Sequence, residues 1–308
     1  MSAEPSESDG AGQSRIQGLA IVATPIGNAA DITLRAIEAL KSADAILCED
    51  TRVSPKLLAR HGIRRPLLAY HEHNAERMRP QILERLRQGE SLALISDAGQ
   101  PLVSDPGFKL VRAALAEGLP VTALPGPSAA LTALVLSGLP TDRFFFAGFL
   151  PPKTAQRRRE LGELAAIPGS LIFFEGASRL PAALADMAAV LGPRPAAVAR
   201  ELTKLFEEVR RAPLDELAAH YAAAGPPPGE ISIVVGPPEA GAAPAGEAID
   251  EALAEALQRL SLRDAVDSVA VALSLPRRQV YARALQLSAQ PPQGGPPPGR
   301  RKGGIDEA

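Results

Sequence analysis

Five short runs of mostly apolar residues recur through the first part of the chain, at Leu19–Ala23, Ala45–Cys48, Leu67–Ala69, Leu92–Ser96 and Val121–Leu124. Helical segments separate them. This alternation predicts strands of a parallel α/β sheet. The helices carry their own punctuation: Ser54-Pro55 opens one that Gly62 closes, Asn74 opens one that ends at Gly89, and Asp105-Pro106 opens one that ends at Gly118. A further helix runs from Ser128 to Ser137 and stops at Gly138, followed by a domain junction at Leu139-Pro140-Thr141.

The alternation resumes in the second half, with strands at Arg143–Phe146, Leu171–Phe174, Ala196–Ala199 and Ile231–Val235 and helices after Thr154, at Pro181–Leu191 and at Pro213–Ala223. A second, smaller α/β domain follows from it. From Gly236 to Gly246 the residues are mostly Gly, Ala and Pro, a linker composition. Beyond it, Ile249–Leu260, Leu262–Leu273 and Arg277–Leu287 form a small C-terminal helical bundle whose last two members resemble a helix-turn-helix. The expected organisation is a disordered tail at 1–17, α/β domains at 18–138 and 139–236, a linker at 237–248, a helical domain at 249–289 and a disordered tail at 290–308.

Composition narrows this picture. At 308 residues and 46% hydrophobic, the chain is long enough for two cores. The 26 glycines and 30 prolines fall short of a low-complexity composition. One cysteine, Cys48, leaves no internal disulfide and suits a reducing cytoplasm. The first fifteen residues are polar and acidic, and no run of 18 apolar residues occurs, so neither a signal peptide nor a membrane span is expected. A net charge of −2 excludes a general polycation, and any RNA contact must come from a local patch. Two patches qualify: Lys153, Arg157, Arg158 and Arg159, and Arg77, Arg79, Arg85 and Arg87 along one predicted helix. Positive charge at a helix start opposes the helix dipole, which favours a phosphate partner for the first patch; a solvated helix face is the alternative for both.

The polar and Gly/Pro-rich segments of the first domain each follow a predicted strand. They are Thr24-Pro25-Ile26-Gly27-Asn28, Glu49-Asp50-Thr51-Arg52, Tyr70-His71-Glu72-His73-Asn74, Ser96-Asp97-Ala98-Gly99-Gln100-Pro101 and Pro125-Gly126-Pro127-Ser128. Ligands of open α/β sheets bind outside the carboxyl ends of the strands, so five such loops mark one candidate rim. No dinucleotide-binding, phosphate-loop, zincin or nucleophile-elbow motif is present. His71, Glu72 and His73 lack the further ligands a metal site needs, so no metal is expected.

Val22-Ala23-Thr24-Pro25-Ile26-Gly27-Asn28, Glu49-Asp50-Thr51-Arg52, Tyr70-His71-Glu72-His73-Asn74, Ser96-Asp97-Ala98-Gly99, Pro125-Gly126-Pro127-Ser128-Ala129 and Gly148-Phe149-Leu150-Pro151 resemble, in this order, the ribosomal RNA small subunit methyltransferase I family. These are cytidine 2′-O-methyltransferases of the tetrapyrrole methylase superfamily. Ala199-Arg200-Glu201-Leu202-Thr203-Lys204 is similar too. The resemblance implies two α/β domains of tetrapyrrole methylase type with S-adenosylmethionine in the cleft between them. It also implies a homodimer and, as substrate, a cytidine in the decoding region of small-subunit rRNA, free or in the assembled small ribosomal subunit. Implied cofactor contacts are Pro25, Gly27, Asp97, Gly99, Gln100, Pro101, Val103, Pro125, Gly126, Ser128 and Ala129. The chain departs from the family pattern at Gln100 for threonine, at Ala177-Ser178 for Pro-His and at Phe206 for histidine.

Removing the proton of a ribose hydroxyl requires a base, and His71, Glu49 and Asp50 are the candidates. Arg52, His73, Lys153, Arg157, Arg158 and Arg159 are the candidate RNA contacts. Two other readings stay open: a small-molecule tetrapyrrole methylase, and an RNA-binding module without activity.

Overall fold

The computed structural model describes residues 16–238, 246–273, 275 and 277–288. The chain divides into two compact units at Pro238. In the first, strands β1 (Leu19–Val22), β2 (Ala45–Cys48), β3 (Leu67–Ala69), β4 (Leu92–Leu94) and β5 (Val121–Leu124) form one sheet in the order β3-β2-β4-β1-β5. Every pairing is parallel. Strands β1, β2 and β4 are buried at every residue, because helices cover both faces, and this is why they read as unbroken apolar runs.

Helices α1 (Leu34–Ser42) and α2 (Ser54–Arg60) lie on one face, where Ala36, Leu40 and Leu58 meet Ala20, Val22 and Ile46. Helices α3 (Ala75–Arg87) and α4 (Phe108–Ala116) lie on the other, where Ile82, Leu86 and Leu110 meet Leu19, Ile21 and Leu47. Right-handed crossovers require this division: the chain steps outward from β1 to β3 over one face and returns to β5 over the other. At the adjacent strands β1 and β4 the connections therefore leave toward opposite faces. The crevice this opens is where ligands of such sheets bind.

Helix α5 (Ala129–Ser137) is capped by the Ser128 hydroxyl, which accepts from the Leu131 N–H, and stops at Gly138 with φ +75°. The chain then builds a second sheet from β6 (Phe144–Phe149), β7 (Ser170–Gly176), β8 (Pro195–Arg200), β9 (Glu208–Pro213) and β10 (Glu230–Val235), in the order β6-β7-β10-β8-β9. Only β6 and β7 are parallel; the other pairs are antiparallel. Leu171, Phe173, Ile231, Ile233 and Val235 face α6 (Thr154–Leu164), α7 (Leu180–Leu191) and α8 (Leu214–Ala224), while Ile172, Val234 and Ala199 face α5. The second half thus keeps the expected helices, but its sheet is mixed.

Two local expectations need correction. Strand β9 was not expected: Glu208, Arg210 and Arg211 mask it, as charges often do on an edge strand. Asp105-Pro106 does not open α4, which starts at Phe108 after Gly107 with φ +135°. The Asp105 carboxyl is engaged by Ser96 instead of capping.

The second unit contributes α9 (Gly246–Leu257), α10 (Leu262–Ala272) and α11 (Arg277–Ser288), which bury Ile249, Leu253, Val266, Val269, Val280 and Ala284 together. Helix α9 begins inside the segment read as linker. Of the expected tail at 1–17, residues 1–15 lie outside the described residues, as does the expected tail at 290–308. Among the described residues, no helix is long and apolar enough to cross a membrane.

Candidate functional site

The loops after β1, β4 and β5 meet at the β1/β4 crevice. The Thr24 N–H donates to the Gly99 carbonyl at 2.9 Å, the Gly99 N–H donates back at 3.0 Å, and the Thr24 hydroxyl donates to the Ser96 carbonyl at 3.0 Å. This ties the ends of the two central strands together. Gly99 has φ +78°, a conformation that favours glycine. Gly126 approaches so closely that a Cβ there would lie 2.7 Å from Ala23 Cβ. Gly27 is closed in from the second sheet: a Cβ would lie 2.5 Å from Lys204 Cγ and 2.8 Å from both the Leu202 carbonyl and the Thr203 hydroxyl. Glycine at these three positions is what lets the loops pack this closely at the strand ends.

Sequence-predicted cofactor residues take two roles here. Pro25 and Pro101 are buried and shape the loops, whereas Gly27, Asp97, Val103, Pro125 and Gly126 are exposed to solvent; Gln100, Ser128 and Ala129 lie half-buried between them. The loop from Gln100 to Gly107 carries Leu102 at φ +74° and Ser104 at φ +65°, two non-glycine residues in the left-handed region. Strain of this kind concentrates at functional sites, where the surroundings hold it.

Acidic and imidazole groups line the other side of the rim. Asp50 is clamped by Arg52, whose Nε and Nη2 donate to Oδ1 and Oδ2 at 3.0 Å and 2.7 Å. These hydrogen bonds hold the Asp50 carboxyl down to about 2. That makes Asp50 a weaker proton acceptor than Glu49. Glu49 moves the other way, raised by burial and then by the charge of Asp97. Asp97 is raised by partial desolvation and the charge of Asp50, against the pull of a backbone hydrogen bond from Asp50. Asp105 is pushed up to about 6 by burial and then by the charge of Glu49.

His71 is half-buried and set by Asn74, whose Oδ1 accepts the His71 N–H at 2.9 Å while its Nδ2 donates to the Ala69 carbonyl at 2.9 Å. Asn74 thus folds the loop rather than capping α3. The inner nitrogen of His71, Nδ1, is buried without a hydrogen-bond partner among the described residues. The charge of His71 acts on Glu49. His73 is exposed, and its ring centroid lies 6.0 Å from that of His71.

Asp105 has a consequence for pH. Its folded-state value of about 6 lies above the ordinary carboxylate value near 4, so the native state holds the proton more tightly than the unfolded chain. Stability is therefore lost as pH rises from about 4 to about 6 and stays lower above. Asp105→Asn should melt higher than the unsubstituted chain above pH 6, with the gain vanishing below pH 4. Melting curves across that range that coincide at every pH would contradict the buried, proton-holding Asp105.

The basic patch is not what its sequence implied. Arg157 is 3% exposed and Asp186, on α7, 5%. Arg157 Nε donates to Asp186 Oδ2 at 2.7 Å, and its Nη1 donates to the Pro151 and Pro152 carbonyls. Arg157 is thus a core ion pair and leaves the set of RNA contacts. Arg158 also donates to Asp186, at 2.6 Å, from a half-exposed position, and Arg159 and Lys153 remain exposed. On α3, Arg85 and Arg87 are held by Glu90, Glu84 and Glu117. Arg52 is 88% exposed beyond its clamp on Asp50.

Sequence reasoning missed two parts of this site. One is Asp105, read as a cap; its only sequence signal is its place in the loop after the central strand. The other is the role of the segment Glu201–Glu207 between β8 and β9: in the sequence Glu201–Lys204 stands only as part of the family resemblance, and the structure brings it to the β1 loop from the second sheet.

The family of tetrapyrrole (corrin/porphyrin) methylases matches residues 18–218, and the RsmI C-terminal HTH domain matches residues 243–288. A ribosomal RNA small subunit methyltransferase I of Mesorhizobium japonicum is 52% identical over 270 residues, covering 87% of this chain and 92% of that protein. Its counterpart in Erythrobacter litoralis is 49% identical, covering 88% and 95%. Among solved structures, uroporphyrin-III C-methyltransferase from Thermus thermophilus, complexed with S-adenosylhomocysteine, superposes with a TM-score of 0.51 at 23% identity. That match covers 70% of this chain and 96% of the other. The parallel sheet and the mixed second sheet are therefore those of a tetrapyrrole methylase, the C-terminal helices match the RsmI C-terminal HTH domain, and the chain belongs to the ribosomal RNA small subunit methyltransferase I family.

Proposed function

We propose that this protein transfers the methyl group of S-adenosylmethionine to the 2′-hydroxyl of a cytidine in the decoding region of small-subunit rRNA. The observation that carries the reading is the glycine-lined crevice at β1/β4 lying beside a rim that holds His71 and Glu49. The cofactor would sit in that crevice: Gly27, Gly99 and Gly126 let the loops after β1, β4 and β5 pack closely against their protein neighbours at its mouth, and Ser128 heads α5 beside them. When bound, S-adenosylmethionine supplies an electrophilic methyl on a sulfonium.

The protein's own task is alignment and proton removal. His71, held by Asn74, takes the hydroxyl proton. Glu49, Asp97 and Asp105 favour a cationic donor over its neutral product at the same rim. Arg52 reaches outward from its clamp on Asp50 to a phosphate, with exposed His73, Lys153 and Arg159 as further contacts. The homodimer is assigned to α5, whose inner side is seated on the second sheet while Leu131 and Val135 stay exposed. The site is in the cytoplasm, where ribosomal subunits are assembled.

The test is methylation of small subunits isolated from a strain lacking the gene, read as 2′-O-methylcytidine after nuclease digestion. His71→Ala should lower turnover at saturating donor and subunit by about 10²–10⁴, the usual worth of a general base. Arg52→Ala should act mainly on the subunit's KM. Full turnover by the His71 variant moves the base elsewhere. Donor binding without subunit methylation would favour a small-molecule substrate, and failure to bind S-adenosylhomocysteine a module without activity.

A further inference from the structure

The segment between β8 and β9 is held in an unusual shape. Glu201 has φ +51° and Thr203 φ +63°, both in the left-handed region, and a β-branched residue there is a marked outlier. Such conformations persist only where the surroundings over-determine them. They do so here: the Glu201 N–H donates to the Glu230 carbonyl at 3.1 Å, and Glu201 Oε1 accepts from the Glu230 N–H at 3.0 Å and from Lys204 Nζ at 2.9 Å. Glu207 Oε2 accepts the Thr203 N–H at 2.7 Å. Beneath them Leu202 is buried with Ile26.

What this frame presents is one hydroxyl. Thr203 Oγ1 accepts the Asn28 N–H at 3.0 Å, across 175 residues of sequence. Gly27, next to it, is glycine because Leu202, Thr203 and Lys204 fill the space a side chain would need. The Thr24–Asn28 loop is thus pinned at both ends, to Ser96 and Gly99 of the first sheet through Thr24 and to the second sheet through Asn28.

We propose that Thr203 is a positioning residue for the methyl donor: its hydroxyl fixes the Thr24–Asn28 loop from the second sheet and so sets the width of the cofactor crevice. The proposal rests on the assignment of that crevice to S-adenosylmethionine. Thr203 touches neither donor nor acceptor; it acts through Asn28. A hydroxyl alone is needed, so a serine should serve and an isosteric valine should not.

Calorimetry of the full chain with S-adenosylhomocysteine tests this. Thr203→Val, which keeps shape and the same backbone strain, should weaken binding by roughly three- to tenfold, the net worth of one solvent-accessible hydrogen bond. Thr203→Ser should bind within about twofold of the unsubstituted chain. Asn28→Pro deletes the same bond from the donor side, since the Asn28 φ of −80° suits proline. In that background Thr203→Val should have no further effect. Binding by Thr203→Val at full affinity, a Thr203→Ser variant as weak as the valine, or additive losses in the double variant would each overturn the proposal while leaving the crevice assigned. Absence of binding by the unsubstituted chain would overturn the assignment and the proposal together.

Discussion

Gly126→Ala is expected to weaken S-adenosylhomocysteine binding by roughly ten- to a hundredfold in a chain that still folds, because overpacking costs about 1–3 kcal/mol and each 1.4 kcal/mol is tenfold. The added Cβ would lie 2.7 Å from Ala23 Cβ, so one of the two segments must move. Ala23 is buried at the end of β1, and its neighbour Thr24 is bridged in both directions to Gly99. Pro125 and Gly126 are exposed, so the loop after β5 yields and the crevice opens. A second substitution makes the expectation specific. Ala23→Gly removes the obstructing methyl, and the next atoms, the Ala23 carbonyl oxygen and Cα, lie at 3.7 Å and 3.8 Å, ordinary contact distances. The pair Ala23→Gly with Gly126→Ala should therefore recover most of the affinity lost by Gly126→Ala alone. Calorimetry on the three variants decides it: an unaffected single variant, or a double variant no better than the single, places the Pro125–Ser128 loop outside the site.

The central strands of the first sheet, β1, β2 and β4, were legible because each is buried on both faces, and an apolar run with cap residues on either side needs no knowledge of its partners. Ser128 and Gly138 bound α5 where local chemistry says they should. What the sequence hid depends on partners far along the chain. Strand β9 exists because β8 offers it an edge, and its own charges speak against it. Asp105 has the look of a helix cap, yet its environment is set by Ser96 and Glu49. The Thr203 hydroxyl meets Asn28 across two sheets. The rim loops could be found because the parallel topology puts every strand's carboxyl end on one side, whereas their division into buried props and exposed contacts required the packing.

Arg157→Gln is expected to lower the melting temperature of the first unit by about 10 °C. Removing one partner of a buried ion pair costs about 3–5 kcal/mol, and in a domain of this size each kcal/mol shifts melting by about 2–4 °C. The low end applies, since Arg158 Nε still reaches Asp186 Oδ1 at 2.6 Å. Arg157→Met with Asp186→Leu should recover much of the loss, because a packed apolar pair avoids both the desolvation of two charges and the orphaning of one. The same variants separate structure from RNA binding. Replacing Lys153 and Arg159 by Gln should flatten the salt dependence of small-subunit binding by at most about 1.4 units of log affinity per log salt, at about 0.7 per phosphate on a single strand. Arg157→Gln, assayed well below its melting temperature, should leave that slope unchanged. A thermally intact Arg157→Gln chain with a flatter slope would return Arg157 to the RNA surface. Positive charge in the first turn of α6 does need an anion, and Asp186 of α7, with the Pro151 and Pro152 carbonyls, supplies it from within the protein.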